Sequence, residues 1–126
     1  MKPAKLDEPL FIRRGDTFRF FFRLRKRNPD GSTGDYQDLT TWGPGLAQVR
    51  ASKDGIVLWT CTVTKSNQTT FPGGVLLSIP AASTKSAFPS PIPAEATIDF
   101  EIANDLGEVD TYWEADVTLE KDVSFV

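Results

Sequence analysis

Apolar and polar residues alternate with period two through the clearest segments of the chain. From Thr17 to Arg25, Phe18, Phe20, Phe22 and Leu24 alternate with Thr17, Arg19, Phe21, Arg23 and Arg25. From Glu95 to Ile102, Ala96, Ile98, Phe100 and Ile102 alternate with Glu95, Thr97, Asp99 and Glu101. From Val109 to Glu120, Val109, Thr111, Trp113, Ala115, Val117 and Leu119 share one parity, and the acidic residues and Tyr112 take the other. Successive side chains of a strand point to opposite faces, so each stretch predicts a strand with one buried and one wet face. The inward set predicts a core containing Phe18, Phe20, Phe22, Trp59, Ile98, Phe100, Trp113 and Val117.

The remaining elements follow from turn signals. Leu10 to Arg13 predicts a short first strand, and Arg14-Gly15-Asp16 a turn. The second strand is expected to run from Thr17 to Arg27. The run from Asn28 to Gly34 is rich in turn residues, and a loop is expected to continue to about Gly45. Within that loop, Asp38-Leu39-Thr40 and Trp42 suggest an apolar anchor. Leu46 to Ser52 predicts a third strand, and Lys53-Asp54-Gly55 a hairpin turn. Ile56 to Thr64 predicts the fourth, with Val57, Trp59, Cys61 and Val63 on one face. Val75, Leu77 and Ile79 make a fifth. The four prolines between Pro80 and Pro93 allow one helical turn, capped by Ser83 or Thr84. A terminal hairpin closes around Asp105-Leu106-Gly107.

About seven short strands separated by turns every eight to twelve residues predict an all-β fold. The expected form is an immunoglobulin-like antiparallel β-sandwich, with a partly closed barrel as the alternative. Residues 1–9 read as a polar, proline-punctuated arm, mobile or docked on a neighbour, and residues 10–126 as a single sandwich domain. The length of 126 residues supports one core. No apolar run approaches the ~20 residues of a membrane-spanning helix. Residues 1–8 carry no signal-peptide core, and the one cysteine, Cys61, excludes an intramolecular disulfide, so a reducing cytosol is the expected site of synthesis.

Charge is unevenly spread. Residues 1–27 hold nine Lys/Arg against three Asp/Glu, whereas residues 95–126 hold ten Asp/Glu against Lys121 alone. Two readings stay open. The strands could pair their opposite charges within the domain, or the basic edge of one copy could face the acidic edge of the next. Nucleic acid is not expected as a partner, because the basic residues alternate along a strand and the chain is acidic overall. No membrane partner is expected.

The chain has no histidine, which excludes His-based triads, His acid–base pairs and His metal sites. Cys61 sits among alternating apolar residues and reads as a small buried hydrophobe. No phosphate-cradling glycine motif precedes a helix. The carboxylates Glu95, Asp99, Glu101, Asp110, Glu114 and Asp116 read as a solvated face, with a weak hard-cation site or a catalytic pair as lesser readings. Arg14-Gly15-Asp16 matches an adhesion tripeptide and Asn67-Gln68-Thr69 a glycosylation sequon, and both read as turn residues. No catalytic residue and no cofactor is expected. Arg23, Arg25 and Arg27, with the loop aromatics Tyr36, Trp42 and Phe71, are the expected partner-contact residues. Phe21, on the otherwise polar face between Arg19 and Arg23, is expected to mark a contact surface.

The order of several short motifs resembles a family of tailed-phage virion proteins. They are Arg14-Gly15-Asp16-Thr17-Phe18, Asp38-Leu39-Thr40, Gln48-Val49-Arg50, Asp54-Gly55, Asp99-Phe100-Glu101-Ile102, Gly107-Glu108-Val109-Asp110-Thr111 and Asp116-Val117-Thr118. The likeness spans roughly residues 10–120. It is to the amino-terminal immunoglobulin-like domain of upper-baseplate and minor tail proteins. The loop from Tyr36 to Gly45 and the proline-rich Pro80–Pro93 segment depart from that pattern, and the sequence ends after the sandwich. The resemblance implies a non-enzymatic structural component of a tail or baseplate. It further implies assembly in the host cytoplasm and contact with other virion proteins in repeated, symmetric copies. A capsid decoration protein and a carbohydrate-binding module for host adsorption are the alternatives.

Overall fold

The alternating segments become strands, and the strands stack as two sheets with their apolar faces inward. The computed structural model describes residues 3–121. In chain order the elements are β1 (Ala4–Lys5), β2 (Leu10–Arg13), β3 (Phe18–Arg23), β4 (Arg25–Arg27), β5 (Thr33–Tyr36), β6 (Gly45–Arg50), β7 (Val57–Thr60), β8 (Thr62–Lys65), β9 (Gly74–Ile79), α1 (Ala81–Ser86), β10 (Thr97–Ala103) and β11 (Val109–Glu120). One sheet has the order β1-β11-β10-β6-β7, with β2 also on β11, and the second is β3-β9-β8. A separate hairpin is formed by β4 and β5.

This is the immunoglobulin-like sandwich the patterning predicts. The sheet β11-β10-β6-β7 corresponds to strands G, F, C and C′ of the variable-type arrangement, and β3-β9-β8 to B, E and D. One extended stretch, Val57 to Lys65, crosses from one sheet to the other at Cys61. Taken as one strand, it joins β2, β3, β6, β9, β10 and β11 to give the seven expected. Among the described residues, helix is confined to the six residues of α1, between Pro80 and Pro93. Among the described residues no helix is long and apolar enough to cross a membrane.

The core joins the two sheets through aromatic rings. Phe22 meets Phe100 edge to face at 4.8 Å and Trp113 at 5.1 Å. Phe20 meets Trp113 at 5.5 Å. Strands B and F carry an inter-sheet disulfide in antibody domains; here the Phe22–Phe100 contact occupies the corresponding strands. Phe18, Trp59, Ile98, Phe100, Trp113 and Val117 are buried as expected, but Phe20 and Phe22 are only partly covered.

Several expectations are corrected. The second strand does not run to Arg27. It stops at Arg23, because the Leu24 amide donates to the Gly73 carbonyl and its carbonyl accepts from the Gln37 amide. The loop expected from residue 28 to 45 contains β5. Val109 is exposed rather than buried, because a bulge between Phe100 and Glu101 makes Tyr112 an extra residue on β11 and reverses the alternation before it. The helix starts after Pro80 with no side-chain cap, and Thr84 is wholly buried inside it. Thr84 Oγ1 instead accepts from the Gly15 amide at 3.1 Å and lies 2.8 Å from the Asp16 carbonyl. It thereby clamps the Arg14-Gly15-Asp16 turn. Part of the expected arm is paired with the domain's own sheet at Ala4–Leu6. Ala4 and Lys5 run parallel to Trp113 and Glu114, and the Leu6 amide donates to the Glu114 carbonyl.

Candidate functional site

Where β3 gives way to the β4–β5 hairpin, charge and aromatic rings meet at the surface. The register of the hairpin sets Arg25 opposite Tyr36. Arg25 Nη2 donates to the Tyr36 hydroxyl at 3.0 Å, and its guanidinium lies 4.4 Å from the ring centroid. Arg23 comes closer, at 3.5 Å from the same centroid. A planar cation over a π-face is attracted by the ring quadrupole, to the extent of ~0.5–1 kcal/mol at exposed sites. Arg23 is also fixed at its Nε, which donates to the Pro72 carbonyl at 3.1 Å. Phe71 lies 5.8 Å from the Arg23 guanidinium and meets Phe21 edge to face at 6.5 Å. Phe21 and Phe71 remain about half exposed, at 48% and 49%.

The turn that presents Phe71 is held from within. Gln68 Oε1 accepts from the amides of Leu39 and Gly73, while its Nε2 donates to the carbonyls of Ser66 and Gly74. One side chain thus ties the Phe71 turn to the loop before β6. Asn67 Oδ1 accepts from the Thr69 and Thr70 amides, so this asparagine is used as a turn cap. Leu39 is fully buried and is the apolar anchor expected of its loop. Lys65 Nζ donates to the carbonyls of Leu39 and Trp42, fixing the loop at both places.

Beside this patch runs a groove of about 410 Å³ between β4 and the Trp42–Tyr112 pair. The two rings are 5.9 Å apart at 51°. Burial raises the Tyr112 phenol above its ordinary pKa, with the Asp110 carboxylate adding to it and Arg27 opposing it. Arg27 lines this groove with Lys26.

Of the expected contact residues, Arg23, Arg25, Tyr36 and Phe71 therefore converge on one exposed patch. Arg27 and Trp42 fall in the adjoining groove. Tyr112 and Gln68 belong to the same region and went unmarked in the sequence. Tyr112 is turned there by a bulge, and Gln68 acts through partners 29 residues before it and five after. A lysine on the inward parity of β8, as Lys65 is, is the one local signal of a part-buried polar hub.

The charge asymmetry divides in the fold. Lys5 pairs with Asp116 at 3.2 Å and Arg13 with Glu120 at 3.7 Å, so part of it is spent between neighbouring strands. Arg23 and Arg25 are stacked on an aromatic ring instead. The opposite sheet presents a groove of about 590 Å³ whose lining includes Asp54, Asp99, Asp110 and Glu114. Among the described residues no group of three or more acidic or cysteine side chains is placed to hold a metal ion. The Cys61 thiol is buried and pushed up to about 12, which leaves it protonated and unreactive near neutrality.

The patch can bind, through exposed aromatic area and oriented guanidinium groups, residue types over-represented where protein interfaces concentrate their affinity. Compared with known protein families and with curated proteins, the chain matches no family model and no curated sequence.

Proposed function

We propose that this chain is a non-enzymatic structural component of a tailed-phage particle, in the tail or baseplate, acting through protein–protein contacts. The virion assignment is supported by the collinear order of the motifs from Arg14-Gly15-Asp16-Thr17-Phe18 to Asp116-Val117-Thr118. The mode of action is supported by one structural observation: Arg23, Arg25, Tyr36 and Phe71 gather on one exposed patch of a sandwich. A rigid scaffold with pre-placed side chains loses little conformational entropy on docking. The carbohydrate-binding alternative needs open aromatic faces. The Arg23 guanidinium over Tyr36 and the packing of Trp42 on Tyr112 weigh against it.

Immunogold labelling of phage particles released from cells that carry the gene for this chain tests the reading. Label at the tail or its tip is expected. Label spread over the head would favour the decoration protein, and unlabelled particles would overturn the virion reading. The contact patch is tested by Arg25→Glu with Phe71→Ala, both at exposed side chains. Incorporation should fall while the free protein keeps its circular dichroism spectrum. Residual incorporation should weaken with salt, since the Debye length shrinks to ~3 Å at 1 M.

A further inference from the structure

Among the described residues, the sheet β3-β9-β8 ends at β3. In constant-type immunoglobulin domains the first strand lies beside the second, in the order ABED. Here the corresponding segment, β2, pairs instead with β11, at Val117–Leu10 through Glu120–Arg13. Among the described residues, β3 is therefore terminal in its sheet and is paired by β9 alone. A terminal strand carries a row of unpaired amides and carbonyls along its outer edge, ready to template another strand.

The surroundings of that edge have the shape and chemistry of a strand site. Between β2 and β3 lies a groove of about 350 Å³, whose lining includes Leu10, Phe11, Phe18 and Phe20, with Arg13 and Arg19 outnumbering its one carboxylate, Asp16. Phe20 and Phe22 face inward but stay partly uncovered, because no further strand closes the sandwich on that side. Phe11 is 58% exposed. On the outward face of β3, Phe21 stands between Arg19 and Arg23. Charged residues on an edge commonly deter pairing. Here, however, Arg23 is engaged by Tyr36 and the Pro72 carbonyl, and an exposed phenylalanine is left between the two arginines.

We infer that the open edge of β3 accepts an extended segment of a partner protein as an added strand, and that this segment alternates apolar with acidic residues. The alternation follows from the pleat. Inward side chains of an added strand would lie over Leu10, Phe18 and Phe20, and outward ones beside Arg19 and Arg23. Directly opposed residues sit ~4.5–5.5 Å apart, where opposite charges stabilise and like charges destabilise. A second copy of β3 would set arginine against arginine, so the occupant is a different strand. Such β-augmentation draws affinity from main-chain hydrogen bonds and specificity from alternate side chains. The site is continuous with the Arg23–Phe71 patch through β3, yet the inference stands apart from the virion reading.

The test uses the full chain and three capped hexapeptides: Val-Glu repeated three times, the same with Lys for Glu, and the Val-Glu peptide N-methylated at alternate residues. Amide hydrogen exchange is followed residue by residue. The Val-Glu peptide at saturation should slow exchange in residues 18–23 by at least about tenfold, corresponding to ~1.4 kcal/mol. The Lys peptide should bind more weakly. The peptide whose N-methyl groups face β3 should give no protection. Arg19→Glu, at an exposed position, should reverse the preference between the Glu and Lys peptides while leaving the free spectrum otherwise unchanged. Equal binding of the N-methylated peptide, protection that avoids residues 18–23, or no binding by any peptide would overturn the proposal. So would protection of the same amides through self-association of the chain alone.

Discussion

At the residue scale, Gly73 is constrained twice. Its φ of +81° disfavours any side chain, and a Cβ placed there would lie 2.3 Å from the Leu24 carbonyl oxygen. The Gly73 carbonyl also accepts the Leu24 amide, the bond that ends β3 and starts the hairpin. Gly107 has the same φ with nothing within 4 Å of the added carbon. Gly107→Ala should therefore cost only the backbone penalty of ~1–2 kcal/mol. Gly73→Ala should cost that and the disrupted Leu24 bond as well, ~2–4 kcal/mol in total. Urea unfolding of the two variants checks the order. Thr84 offers a second test. Thr84→Val keeps the shape but strips the Gly15 amide and the Asp16 carbonyl of their partner, a loss of ~1–3 kcal/mol. Exchange at the Gly15 amide should accelerate in Thr84→Val and stay slow in Thr84→Ser, which retains the hydroxyl.

At the element scale, Phe20 and Phe100 share the same alternating signature, yet their strands sit differently. β10 is flanked on both sides by β11 and β6, and Phe100 is fully buried; β3 is a sheet edge, and Phe20 is only partly covered. Phe100→Ala should cost ~3–5 kcal/mol. Phe20→Ala should cost somewhat less, in proportion to the smaller share of apolar area it buries, with thermal or urea unfolding as the measurement. On the outer face of β10, Asp99 lies opposite Glu114. Burial raises its carboxyl above the ordinary range, Arg50 pulls it back, and Glu114 raises it further. A carboxyl that holds its proton more tightly folded than unfolded makes stability fall as pH rises from the ordinary Asp value through the folded one. Asp99→Asn should thus be more stable than the parent at neutral pH, with the advantage fading as pH drops below the ordinary Asp range. Denaturation midpoints from pH 3 to 8 would show it. These strands are legible in sequence because burial on one face imprints period two, and the turns at Arg14-Gly15-Asp16 and Asp105-Leu106-Gly107 carry their own punctuation. The break at Leu24 is not legible. The alternation runs through it unchanged, and only the hydrogen-bond partners switch, from β9 to the Gly73 turn and Gln37. Likewise Arg23 and Arg25 are visible as basic strand residues, but their meeting with Tyr36 and Phe71 depends on a hairpin and a distant turn that no local pattern joins.

For the whole molecule, charge is arranged as poles. The arginine patch lies at β3 and the β4–β5 hairpin, while the groove on the outer face of the other sheet sets four carboxylates against Lys5 and Lys53. Along the β11 seam the Lys5–Asp116 and Arg13–Glu120 ion pairs are both exposed, so each contributes ~0–1 kcal/mol. The poles are thus better suited to orienting partners than to holding the domain together. The same seam has a mechanical consequence. Because β2 lies parallel to β11, tension entering ahead of Leu10 and leaving beyond Glu120 pulls the two strands lengthwise past one another. The load is shared by the rungs from Leu10–Val117 to Arg13–Glu120, which must fail together rather than in succession as in an unzipped hairpin. Pulled between these points in an optical trap, the domain should resist to a markedly higher force than when pulled across the tip of the β10–β11 hairpin and the end of β6. A seam loaded in shear would let the domain carry strain along its axis without opening its core.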